Sequence, residues 1–131
     1  MVKKWIFILS LIAVLVTGCI LEYRFVNNSF EFLHNELITF KQMLDTDKEH
    51  IDTEENVQFV ENIHKKWHKK SDVLKALIWH TGIKDIEVGL SRIATYVSEN
   101  DYTEALAETD SLIDYVMHYS SDFKLTFENL F

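Results

Sequence analysis

Two histidine pairs are the residues of this chain whose type and spacing best suit chemistry. His64 and His68 are four positions apart, so in a helix their rings lie side by side on one face and can chelate a divalent metal ion. Glu61, one turn earlier, is a candidate third ligand. The pair therefore predicts a metal or ligand site, although the glutamate does not occupy the position that a zinc protease requires.

Four lysines surround this first pair and support other interpretations. Their positive charge opposes the binding of a cation. The segment is then a solvated strip beside a core residue, Trp67, with the lysines in water or paired with the acidic fourth helix. A third interpretation is that the lysines bind anionic lipid or wall polymer. The lysines are Lys65, Lys66, Lys69 and Lys70.

His80 and His118 form the second pair, because both are expected at the same end of a helical bundle. A carboxylate from Asp85 or Glu87 would complete a ligand site there. The alternative is that each histidine only caps a helix C-terminus, where the helix dipole favours a protonated ring. The sequence does not specify which metal or ligand either pair would bind.

The rest of the chain offers little for catalysis or for nucleic acid. No serine has the pattern of a nucleophile elbow, and three scattered glycines cannot form a phosphate-binding loop. The formal net charge of -8 repels polyphosphate. We therefore expect no enzymatic activity, no bound cofactor and no nucleic-acid partner.

Residues 1–21 have the order of a bacterial export signal, with two lysines followed by an apolar run and small residues before Cys19. The stretch Val16-Thr17-Gly18-Cys19 resembles the lipobox of bacterial lipoproteins, in which the cysteine is acylated and the chain is cut just before it. The alternative is an uncleaved membrane helix, since Trp5 to Leu21 contains no charge and would span about 25 Å. Both anchors place residues 22–131 outside the cytoplasmic membrane.

Residues 22–131 are predicted to form an all-α, antiparallel bundle of about four helices, because there is no proline and apolar residues recur at three-four spacing. Trp67 is expected in the core and Trp79 at an interface. The expected apolar stripes are Val26, Phe30, Leu33, Leu37, Phe40 and Leu44; Val60, Ile63, Trp67, Leu74, Leu77 and Ile78; Ile83, Ile86, Leu90, Ile93 and Val97; and Leu106, Leu112, Ile113, Val116 and Met117, with Ala105 and Ala107 allowing close approach.

Capping residues predict where these helices begin and end. The first helix continues out of the apolar segment to about residue 45, Asp52 or Thr53 caps the second, and Asp101 caps the fourth. Gly82 is expected to end the second helix in a left-handed conformation. Thr126 is expected to cap one short extra turn. The connections at 45–55 and 98–102 then lie away from the membrane, and the Thr81-Gly82 turn, His118 and the tail lie near it.

Several of these segments resemble the bacterial domain-of-unknown-function family numbered 4363. The resemblance rests on the segment WHTGIKDIEVGLSRIATYV at 79–97, EALAE at 104–108 and LTFENLF at 125–131. It implies a small, helical, membrane-anchored protein, largely of spore-forming Gram-positive anaerobes, with no assigned activity. Gly82 stands where the family often has glutamate, Tyr119-Ser120-Ser121-Asp122 replaces a charged, proline-containing segment, and many members lack Cys19.

Together these features predict a membrane-tethered, extracytoplasmic helical protein of the bacterial envelope that acts as an interaction or structural module for an unknown protein partner. The alternative function is a small-ligand or metal sensor that uses the histidines. The regular apolar stripe of the first helix can pair with a second copy as easily as with its own chain, so the sequence is compatible with both a monomer and a homo-oligomer.

Overall fold

The computed structural model describes residues 2–78 and 80–129, and it excludes the side chains of His80 and Phe127. It contains four helices, α1 (Val2–Thr46), α2 (Glu54–Leu77), α3 (His80–Ser98) and α4 (Tyr102–Glu128). The described residues form no strand. The predicted all-α fold of about four helices is therefore confirmed. Trp79, expected at an interface, lies outside the described residues.

The helix α1 has two halves with opposite surroundings. Residues 2–18 are exposed throughout, and they belong to the one helix among the described residues that is long and apolar enough to cross a membrane. In the second half, the six apolar residues from Val26 to Leu44 that were predicted as a stripe are all buried. Nothing interrupts the helix between the halves. One continuous helix is thus both an apolar projection and one wall of the core.

The bundle is square in cross-section. The helices α2 and α4 each pack against both α1 and α3, while α1 lies diagonal to α3 and α2 lies diagonal to α4. The predicted stripe of α3 is entirely buried, as are Val60, Ile63, Trp67 and Leu74 of α2. Leu77 is exposed and Ile78 is half-buried, because α2 ends at Leu77.

The face that α4 turns to the core differs from the predicted one. Leu106 is half-buried, and Ala107 and Met117 are exposed. The buried positions before Leu112, Ile113 and Val116 are Thr109, one turn before Leu112, and Ala105, two turns before it. Thr109 can occupy the core because its hydroxyl donates to the Ala105 carbonyl at 2.7 Å. The predicted stripe was therefore right for Leu112, Ile113 and Val116 and wrong at its two ends.

One side chain joins the two loops at the end of the bundle opposite the apolar half of α1. Asn100 adopts a left-handed conformation (φ 57°), accepts a hydrogen bond from the Ile51 amide at 2.8 Å and donates to the Glu49 carbonyl at 2.8 Å. Thr53 caps α2 and Asp101 caps α4, as predicted from the sequence. Residues 47–53 and 99–101 therefore close the same end of the bundle.

The connection between α2 and α3 was predicted in the wrong place. The helix α2 ends at Leu77, Ile78 is extended, and α3 already begins at His80. Gly82 is buried inside α3 without a positive φ, where it faces the ring of Tyr119. The glycine therefore allows α3 and α4 to approach closely and does not cap a helix.

Contacts between aromatic rings show how α2 and α4 are aligned along α1. Tyr23 stacks on Phe123 with 5.9 Å between centroids, and Phe30 lies 5.2 Å from Tyr119 and 5.8 Å from Trp67. The end of α2 and the last turns of α4 consequently lie where the apolar half of α1 leaves the bundle. We call this end, formed by residues 19–24, 73–78 and 122–129, the base. The helix α4 runs through the tail to Glu128, so the separate turn predicted at Thr126 is wrong.

Replacing Gly82 by alanine tests the close approach of α3 and α4. A Cβ at Gly82 would overlap the Tyr119 ring, whereas a Cβ at Gly89 would lie 3.0 Å from the flexible end of Leu112. We expect Gly82→Ala to lower the free energy of unfolding by about 1–3 kcal/mol, because a rigid ring must move. Gly89→Ala, the matched control, should change it by less than about 1 kcal/mol.

The measurement is thermal unfolding of the full chain in detergent, followed by circular dichroism. Equal melting temperatures for the two variants would contradict the close packing of α3 on α4 at Gly82.

Candidate functional site

The best-connected polar cluster lies between α2 and α3 and centres on Glu87. Ser71, which is fully buried on the core face of α2, donates to Glu87 Oε1 at 2.6 Å. Lys75 Nζ lies 3.4 Å from Glu87 Oε2, and His68 Nδ1 lies 3.1 Å from Oε1. Residues one and two turns apart on α2 thus converge on a single carboxylate of α3.

These contacts decide the protonation state of Glu87. Burial by itself raises the pKa of the carboxyl, but the hydrogen bonds from Ser71 and His68 and the charge of Lys75 outweigh burial. The pKa of Glu87 is therefore lowered from its ordinary value of 4.5, and the group is ionised at neutral pH.

The order of the contacts distinguishes this cluster from a hydrolase triad. In a triad the histidine lies between the nucleophile and the carboxylate, so that it can take the hydroxyl proton. Here Glu87 lies between Ser71 and His68, and the Ser71 hydroxyl points to the carboxylate. The arrangement joins α2 to α3, and it does not have the serine–histidine contact of a triad.

An open groove of about 580 Å³ runs beside this cluster and contains both residues of the first histidine pair. His64 and His68 line it from α2, and Lys84, Glu87 and Arg92 line it from α3. Among residues 2–78 and 80–129, no three histidine, cysteine, aspartate or glutamate side chains are grouped as metal ligands. Glu61 thus does not complete a metal site with the pair, and metal or ligand binding at His64 and His68 stays a prediction.

The structure describes the side chain of only one member of the second pair, His118. His118 is exposed, and its Nδ1 lies 2.7 Å from the Asp114 carbonyl of its own helix. The His80 side chain is outside the description. The carboxylates suggested for this site have other partners, since Asp85 accepts a hydrogen bond from Tyr115 at 3.4 Å and Glu87 binds α2. A ligand site at His80 and His118 also stays a prediction.

The four lysines beside His64 and His68 do not pair with α4, contrary to one of the interpretations above. The reason is the square packing, which places α4 across the bundle from α2. Lys70 Nζ lies 5.2 Å from the centroid of the Phe32 ring, and Lys66 Nζ lies 5.7 Å from the same centroid. Acidic groups of α4 instead reach α1 and α3, as Asp110 does with Lys41 at 2.6 Å.

Cys19, the predicted lipidation site, is a half-buried free thiol at the base of the bundle. Val16, Thr17 and Gly18, the other three residues of the lipobox, are exposed, and the whole segment is helical. Acylation of the Cys19 thiol stays a prediction.

Sequence reasoning missed Ser71 and Lys75, and it did not foresee the contact between Glu87 and His68. A signal for Ser71 was present, because the serine falls on the buried face of α2 between Trp67 and Leu74. A hydroxyl at such a position needs a hydrogen-bond partner from a neighbouring element. The partner could not be identified without the register of α3 against α2.

Replacing Glu87 by glutamine tests the role of this cluster. Hydrogen bonds to a charged group typically contribute about 1.5–3 kcal/mol each, so we expect Glu87→Gln to lower the free energy of unfolding by about 1–2 kcal/mol at pH 7. Because folding lowers the pKa of Glu87, its stabilisation is complete above about 4.5 and is lost as the pH falls below that value.

The difference between the wild-type and variant chains should accordingly shrink when unfolding is measured at progressively lower pH. Glu61→Gln, which changes an exposed carboxylate on the neighbouring helix α2, is the control and should have no effect. A pH-independent difference for Glu87→Gln would contradict an ionised Glu87 held by these contacts.

Comparison with known proteins identifies the family of this chain through one family model. No curated protein and no solved structure matches it significantly. A family model described as a domain of unknown function, DUF4363, matches residues 20–130, which is the whole bundle from the base onward. The family that the sequence resembled is thereby confirmed, and the chain belongs to the DUF4363 family.

Proposed function

We propose that the protein is a membrane-tethered helical module of the bacterial envelope, which presents its bundle on the extracytoplasmic side as an interaction or structural element. The observation that carries the proposal is the continuity of α1, whose first half is apolar and fully exposed and whose second half forms a wall of the core. An apolar helix of that length needs a nonaqueous environment. The bundle is therefore held at the surface of that environment by its own longest helix.

Lys3 and Lys4 precede the apolar segment and support the orientation, because positive charge is retained on the cytoplasmic side. The anchor is either the intact helix or a lipid on Cys19 after cleavage. Both fit the bundle, since a chain that starts at Cys19 keeps the buried stripe from Val26 onward.

An interaction or structural role is supported by what the charged groups already do. Glu87 joins α2 to α3, Lys41 and Asp110 join α1 to α4, and Arg92 lies 3.6 Å from Glu108 across α3 and α4. These contacts fix helices against one another and position no reacting group. The partner would be a protein of the envelope or a second copy of the chain.

The groove that contains His64 and His68 favours the second candidate function, ligand sensing. Sensing requires that zinc, nickel or copper, added to the full chain in detergent, binds with measurable heat. The heat must disappear in a chain that carries His64→Ala and His68→Ala. Binding that is absent, or that persists in the double variant, excludes this site.

Membrane fractionation of cells that express the full chain with a C-terminal tag tests the first proposal. We expect the protein in the membrane fraction, and we expect protease added to intact protoplasts to remove the tag, because the bundle would lie outside. A chain that lacks residues 5–18 is the control and should leave the membrane fraction.

A tag that is protected until the protoplasts are lysed would overturn the extracytoplasmic orientation. The mass of the extracted protein then identifies the anchor. An intact N-terminus indicates the helix, and a chain that starts at an acylated Cys19 indicates the lipid.

A further inference from the structure

The base of the bundle exposes apolar side chains where a soluble bundle would carry polar ones. Beyond residue 21, the described residues include five exposed large apolar side chains, at Val73, Leu77, Val88, Met117 and Leu125. Val73, Leu77 and Leu125 belong to the base and are 46%, 36% and 58% exposed. They come from two different helices. Scattered single exposures are ordinary, but these three share one end of the molecule.

Contacts with α1 show how far along the bundle axis these side chains lie. Tyr23 stacks on Phe123, and α4 runs antiparallel to α1, so Leu125 is level with about the last residue of the apolar segment, Leu21. Lys70 lies over the rings of Phe25 and Phe32, and Leu77 is about two turns further along α2. Leu77 therefore reaches the same level.

The length of the apolar segment adds a second argument. Trp5 to Leu21 spans about 25 Å as a helix, whereas the hydrocarbon core of a bilayer is about 30 Å thick. A span that is too short draws its flanking residues into the interface or thins the bilayer. The flanking surface here is the base, and its apolar side chains reduce the cost of that contact.

Charged groups are found where lipid headgroups would meet them. Arg24 and Lys124 are both exposed, and Lys124 neighbours Phe123, which stacks on Tyr23 beside Arg24. Counted along the helices, Arg24 lies roughly 5 Å and Lys124 roughly 2 Å beyond the level of Leu21. Both distances are within the headgroup layer, which is about 5–8 Å deep on each side of the core.

We propose that the base of the bundle is a membrane-contact surface, on which Leu77 and Leu125 rest in the lipid interface and Arg24 and Lys124 face the phosphates. This inference rests on the proposed membrane tether and adds that the bundle is seated on the bilayer instead of standing off from it. The surface is present with either anchor, because it involves only residues after Cys19, and the arguments from the length of the apolar segment and from the level of Leu21 apply to the intact helix.

Fluorophore depth measurements on the full chain in lipid nanodiscs test this contact. Single cysteines are placed on α4 at three increasing distances from the base, at Leu125, Met117 and Ser111. The chain carries Cys19→Ser and retains the apolar helix. Each is labelled with NBD, and quenching by a lipid with a nitroxide at the fifth acyl carbon is recorded. We expect a blue-shifted, strongly quenched signal at 125, and unquenched signals at 117 and 111.

A paired substitution separates seating from simple proximity. With the label at residue 77, Leu125→Glu should reduce the quenching, because a charge in the base disfavours the interface. Met117→Glu, which changes another exposed apolar residue on the same helix, should leave it unchanged.

The outcomes distinguish the two proposals. If the protein incorporates into nanodiscs but the labels at 77 and 125 are unquenched, the seated base is wrong and the tether stands. Strong quenching at 111 as well means that the bundle lies flat on the bilayer, which also overturns the seated base. If the protein does not incorporate, both the tether and the base contact are overturned.

Discussion

Covering the apolar face of α1 is the constraint on which the other elements depend. Six large apolar side chains from Val26 to Leu44 lie on that face, and burying each one contributes roughly 1.5–3 kcal/mol. The helices α2 and α4 cover it from two sides, and α3 completes the core across the diagonal. Because the same helix carries the exposed apolar segment, the positions of α2 and α4 also determine which surface of the bundle lies beside that segment.

The parts of the fold that sequence predicted well are those where apolar side chains alone mark the core. All the residues that were predicted as the stripes of α1 and α3 are buried, and each of them is a large aliphatic or aromatic residue. On α4, Ala105 is buried where close approach was predicted, but Leu106 is only half-buried, Met117 is exposed, and polar Thr109 occupies a core position that apolar periodicity does not indicate. Gly82 was interpreted as a helix end because its role, contact with Tyr119, depends on a helix distant in sequence.

The candidate site shows the same division between local and long-range information. The spacing of His64 and His68 predicts that both rings lie on one face of α2, and both residues line one groove, because helical spacing is local information. The partner of His68 could not be deduced, since Glu87 reaches it only through the register of α3 against α2. That carboxylate joins two helices, and its cluster explains why a serine interrupts the apolar stripe of α2.

The unbroken course of α1 has a mechanical meaning. From Leu21 to Thr46 the helix extends about 37 Å beyond the apolar segment, with no glycine or proline to act as a hinge. A tilt of about 20°, typical of membrane helices, would swing the loops tied together by Asn100 sideways by about 13 Å. With the proposed membrane tether, the protein would act as a stiff lever, in which a change in bilayer thickness at one end becomes a displacement of the opposite end.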